Sequence, residues 1–312
     1  MTPTENVHAP TVLAPYPGPD SDPEMLDVFV YLRPETNGVQ VESSILSVIK
    51  KSPHYRSALN LVYLANIPGD YIVRNRIVER HYGLRLHFAV HGGAAFTPDM
   101  QSQFERHYQV PFREQEVIGG FDALRRYQWT PEELFSLWVE EEAVVRIAGQ
   151  VVKRYKDVFI VNYDIPALLH KNDTETDIAV MVFRTRTGYR HFFRLALQMK
   201  DVLVDRGLMR AEMPISRAVH ISRSPFEQLI DARDYLLLAP DRPATIWDSS
   251  FAQYLLGQGI DHAVIQGAVD HPVCTVSQDE EHLLELAEGA DYPGALELLR
   301  RVRSQLVFSR GT

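Results

Sequence analysis

The chain has 312 residues, 45% hydrophobic and 23% charged, with a formal net charge of −9, values of a globular protein long enough for two domains. One cysteine, Cys274, excludes an internal disulfide and a thiolate metal cage and points to a reducing, cytoplasmic setting. The acidic balance repels nucleic acid and no apolar run approaches the roughly 20 residues of a membrane helix, so neither partner is expected.

Six prolines between Pro3 and Pro23, interspersed with Gly18, Ser21 and acids, predict a disordered arm over residues 1–25 without the apolar core of a signal peptide. From residue 26 the pattern alternates. Strands are expected over 27–32, 58–67 and 84–90, and helices over 41–51, 71–82 and 98–108, the last capped by Thr97 with Pro98 in its first turn. Helices between strands imply crossovers, hence an α/β domain over 26–139 built on a layered parallel or mixed sheet. Thr130-Pro131-Glu132-Glu133 opens another helix.

Past residue 140 the period changes. Segments 143–147, 150–155 and 158–163 read as a β-meander punctuated by Gly149 and Lys156-Asp157, and 178–183 as a further strand. Helical spacing then dominates over 189–204, 225–238, 249–256 and 280–308, broken at Pro293-Gly294. The C-terminal half is therefore a β-meander plus helices, a mixed α+β domain over 140–312 that either stands alone or shares one sheet with the first.

Parallel sheets bind ligands beyond the carboxyl ends of their strands. Those ends carry Arg33, Asn66 and His91 within polar, Gly-containing turns. No G-x-G-x-x-G or G-x-x-x-x-G-K-[ST] motif accompanies them, which leaves any cofactor unassigned. His91-Gly92-Gly93 has the form of an esterase oxyanion loop, but the chain holds no G-x-S-x-G elbow to serve it. The most pointed segment is residues 183–194. No acid appears from Arg184 through Lys200, and a helix opens at about Gly188, so Arg184, Arg186, Arg190 and Arg194 crowd a helix N-terminus, where positive charge opposes the macrodipole. A phosphate or carboxylate would reverse that sign. Arg184, Arg186 and Arg190, with Arg33, Asn66 and His91, are the expected ligand contacts.

No metal site is expected. His87 and His91 would share a strand face, His271 stands three residues before Cys274, and residues 173–177 lack the later Gly and Glu of a calcium loop.

Residues 31–40, Tyr-Leu-Arg-Pro-Glu-Thr-Asn-Gly-Val-Gln, resemble the first strand and turn of nucleoside diphosphate kinases. Residues 219–224, Val-His-Ile-Ser-Arg-Ser, are similar to their phospho-accepting histidine segment. The resemblance implies His220 as a nucleophile; Arg33 stands where the family has lysine, and Ile221 where glycine follows the histidine. Three functions follow as expectations: a binder of a small anionic, phosphorylated or nucleotide-like ligand; a protein-interaction or regulatory module without catalysis; and a histidine-dependent phosphotransferase. The sequence leaves open whether the chain is an enzyme.

Overall fold

A computed structural model describes residues 8–33, 36, 38–171 and 174–302, and only the backbone of Arg190 and Phe193. The fold is mixed α/β, 50% helix and 22% strand. The strands are β1 (Thr11–Ala14), β2 (Leu26–Leu32), β3 (Leu59–Ile67), β4 (Glu116–Gly119), β5 (Val144–Ile147), β6 (Gln150–Tyr155) and β7 (Val158–Val161). They continue with β8 (Ile178–Thr185), β9 (Val219–Ile221), β10 (Leu237–Ala239), β11 (Arg242–Pro243), β12 (Val273–Val276) and β13 (Asp279–His282). The helices are α1 (Val39–Lys51), α2 (Pro53–Ala58), α3 (Gly69–Arg74), α4 (Ile77–His81), α5 (Gly83–His91), α6 (Pro98–Tyr108), α7 (Gly120–Tyr127) and α8 (Pro131–Phe135). After them come α9 (Ile165–His170), α10 (Tyr189–Asp205), α11 (Pro225–Tyr235), α12 (Ser250–Gly257), α13 (His262–Asp270), α14 (Leu283–Leu286) and α15 (Tyr292–Val302). None of the described helices is long and apolar enough to cross a membrane.

The contacts divide the chain into two units, neither of which ends near residue 140. Among the described residues the first comprises 8–33, 36, 38–77, 174–270 and 287–301, and the second 78–171, 271–286 and 302. The second unit is thus largely an insertion between β3 and β8. The change of periodicity marks where the antiparallel meander begins inside that insertion, not where the unit begins.

In the first unit the sheet order is β1-β3-β8-β2-β9. The crossover expected between β2 and β3 does not place them side by side, because β8 lies between and pairs antiparallel with both. Every residue of β8 is buried, which suits a central strand covered on both faces. Against the sheet, α10 buries Phe192, Ala196, Met199 and Leu203, the stripe legible in the sequence. α11 is buried along almost its whole length and starts at the Ser224 cap with Pro225 in its first turn, as expected.

The Pro-rich arm is a correction. Residues 11–14 form β1 on the edge of β3, and residues 16–24 supply polar groups to the sheet. Composition read this segment as unable to build a core; it need not, because it is laid onto one that others build. Residues 1–7 lie outside the described residues.

The second unit contains a sheet of order β4-β7-β6-β5. β5, β6 and β7 form the antiparallel meander read from the sequence, and β4 adds parallel to β7. Its cores pack Phe104, Phe112, Val152 and Phe159 on one side, and Ala123, Leu134, Val158 and Ile160 on the other. Residues 84–90, expected as a strand, are helix α5. The alternation of Leu84, Leu86, Phe88 and Val90 fits a strand, but Leu84 and Phe88, four apart, both pack on the Phe96–Phe112 cluster. Over nine residues the two periods overlap, and tertiary packing decided between them. A Cβ at Gly119 would lie 2.1 Å from the Ala89 carbonyl oxygen, and one at Gly92 would lie 2.6 Å from the Gly119 nitrogen. The glycines after His91 therefore serve a close approach of α5 to β4. The helix expected over 280–308 is β13, α14 and α15 instead, with residues 303–308 outside the described residues.

Candidate functional site

The arginines of residues 183–194 do not share one fate. Arg184 is buried on β8 opposite Asp27, which is 0% exposed. Its Nε and Nη2 donate to the Asp27 carboxylate at 2.7 and 3.0 Å, Nη2 donates to the Gly18 carbonyl at 2.8 Å, and Nη1 donates to Asp20 at 3.2 Å. Tyr16 and Ser250 hydroxyls also donate to Asp27, at 2.6 and 2.7 Å. Burial works against the Arg184 charge, but the Asp27 hydrogen bonds and charge outweigh it and raise the guanidinium pKa. Burial, then the Asp27 charge, raises the Tyr16 pKa, so its hydroxyl stays a donor. Arg186 is exposed and paired with Asp22 and with Glu24, the latter at 2.7 Å. The anions that satisfy Arg184 and Arg186 are thus the chain's own acids from residues 20–27. The side chain of Arg190 lies outside the described residues.

The remaining expected contacts lie elsewhere. Arg33 follows β2 with its guanidinium 5.6 Å from the Tyr31 ring centroid, and Asn66 donates to Asp177 at 2.8 Å. Asn66 pairs with Ala179, five residues from Arg184 along β8, which is roughly 17 Å at the rise of a strand. Arg33 and Asn66 are therefore at one end of the sheet, and Arg184 and Arg186 at the other. His91 ends α5 in the second unit. The antiparallel order of β8 is what separates residues that a parallel sheet would have gathered.

His220 lies on β9 and is 9% exposed. Its ring stacks on Tyr31 at 4.2 Å, and Nε2 sits 3.2 Å from the buried Asp231 carboxylate, which also accepts from Ser222 Oγ at 2.7 Å. Asp231 thus holds both the strand's serine and its histidine, tying β9 to α11 and fixing the imidazole.

A different cationic surface emerges from packing. α1 and α10 run antiparallel: Arg206 Nη1, after α10, donates to Ser44 near the start of α1 at 2.7 Å, while His54, just after α1, lies 6.1 Å from His191 in the first turn of α10. Two acid-free stretches, 43–69 and 178–200, meet at that end. It carries Lys50, Lys51, His54, Arg56, His191 and Arg194, all exposed. Lys50, Lys51, Arg56 and Arg194 have no carboxylate partner among the described residues. The N-cap of α10, Gly188, gives no side-chain acceptor to the first turn and has open space around its Cα. The positive end of a 17-residue helix and cations without a carboxylate partner among the described residues coincide there. The sequence signalled half of this through the acid-free run after Arg184. The other half, in α1 and α2, was visible as an equally acid-free run that only the fold connects to it.

In the second unit Lys153 is 6% exposed. Its Nζ donates to the Leu137 carbonyl at 2.5 Å and lies 3.6 Å from the Tyr163 ring centroid. Burial pushes its pKa down to about 8, with the Asp164 charge acting in the opposite sense. No protein-family profile, curated protein or solved structure matches this chain.

Proposed function

We propose that the protein binds a small anion of the phosphate or nucleotide class at the basic end of the α1–α10 pair. The observation that carries this reading is the set of exposed cations without a carboxylate partner among the described residues, beside an uncapped helix start. A phosphate there gains charge-assisted hydrogen bonds from Lys50, Lys51, Arg56 or Arg194 and relieves their mutual repulsion. Arg184 and Arg186 are not part of this site, since Asp20, Asp22, Glu24 and Asp27 already occupy them.

Inorganic phosphate and nucleoside triphosphates, added at about a hundredfold excess over Kd, stabilise a binding protein by about 2.7 kcal/mol. That raises the melting temperature by about 4 °C for a chain of 312 residues. The double variant Arg56→Ala, Arg194→Ala folds normally and loses the rise. An unchanged melting curve across the anion panel refutes the reading and favours an interaction module. A second reading, phosphoryl transfer through His220, draws on the Asp231 contact that fixes its ring. Acid-labile label on His220 from a labelled nucleoside triphosphate supports it, and an unlabelled chain retires it.

A further inference from the structure

Histidines four residues apart have opposite meanings in the two regular structures. On a strand their Cα atoms lie roughly 13 Å apart, too far for one ion. On a helix the rise over four residues is about 6 Å and both side chains share a face. His87 and His91 were expected on a strand; they stand on α5, with ring centroids 4.6 Å apart and planes inclined at 49°. Both are exposed, so a small rotation about each side chain brings one nitrogen of each ring to the roughly 3 Å separation that ligation at about 2.0–2.1 Å requires.

We propose that His87 and His91 form a bidentate site for a borderline divalent transition-metal ion of the Ni2+, Cu2+ or Zn2+ class, with water completing the shell. Paired imidazoles without carboxylates select such ions over Mg2+ and Ca2+, which want oxygen. Among the described residues no group of three or more His, Cys, Asp or Glu is placed to hold an ion. The site therefore has two protein ligands, and the ion it holds is exchangeable rather than caged. The other close histidine pair, His54 and His191, sits among Lys50, Lys51, Arg56 and Arg194, which repel a cation.

The test is isothermal titration of the full chain with Ni2+, and separately with Zn2+, at pH 7.5. The chain takes up one ion through this pair. Loss of an outer-shell partner alone weakens metal sites 10–100-fold, so His87→Ala and His91→Ala each weaken Ni2+ by at least about tenfold. His54→Ala leaves the affinity within twofold. Circular dichroism of the two α5 variants confirms that they remain folded. No uptake by the wild-type chain, an affinity that survives His87→Ala, or one that is lost with His54→Ala overturns the proposal.

Discussion

Replacing Lys153 by methionine removes a buried amine whose charge the fold disfavours, and it changes how the second unit responds to alkali. The pKa falls from 10.5 unfolded to about 8 folded. Between those values the unfolded chain holds a proton that the folded chain has released, so stability rises with pH through this window. At 1.36 kcal/mol per unit the whole effect is about 3 kcal/mol, of which about 2 kcal/mol has accrued by pH 9.5. Stopping at pH 9.5 keeps the ordinary tyrosine range near 10 out of the measurement; the raised pKa of buried Tyr63 and half-buried Tyr108 acts above it, with the opposite sign. The assay is urea unfolding at pH 7.0 and 9.5, followed by the fluorescence of Trp129, which packs against the Val158–Ile160 core. Wild-type protein gains about 2 kcal/mol over that interval relative to Lys153→Met, which lacks the titration. Parallel stabilities for the two proteins, within about 0.5 kcal/mol, refute a desolvated amine at this position.

Asp27→Asn leaves the buried Arg184 with only the more exposed Asp20 as counter-charge and costs about 3 kcal/mol in urea unfolding, while Arg184→Met in the same chain recovers part of the loss. Arg186→Ala, which breaks only exposed pairs with Asp22 and Glu24, costs no more than about 1 kcal/mol by the same measurement. Gly119→Ala forces a methyl into the Ala89 carbonyl and lowers stability by about 1–3 kcal/mol or more. Gly188→Ala meets open space and leaves the melting temperature nearly unchanged.

Local chemistry was legible where one reading dominated. Thr97 followed by Pro98 announced α6, Ser224 followed by Pro225 announced α11, and the apolar run of β8 announced a strand. The α10 stripe was equally plain. What the sequence concealed were facts of neighbourhood. Nothing in β2 and β3 says that a strand more than a hundred residues later will separate them, and with it Arg33 and Asn66 from Arg184 and Arg186. Nothing in the acids of residues 20–27 says that they will neutralise arginines beyond residue 180. The basic end of α1 and α10 was half legible for the same reason. Each stretch shows its own lack of acids, and only the antiparallel packing brings the two together.

The interleaving of the two units has a consequence for synthesis. β1, β2 and β3 leave the ribosome first and β1 supplies one edge of β3, yet β8, which alone pairs with both β2 and β3, follows only after the 78–171 segment is made. That segment holds its own four-stranded sheet and aromatic core, so it reaches local pairing while β2 still exposes unpaired apolar backbone. Sequence-distant pairing of this kind folds slowly and leaves strand edges open to other chains in the interval. Of the early strands β2 waits longest, because both its partners, β8 and β9, follow the insertion, and its exposure time is set by the length of that insertion.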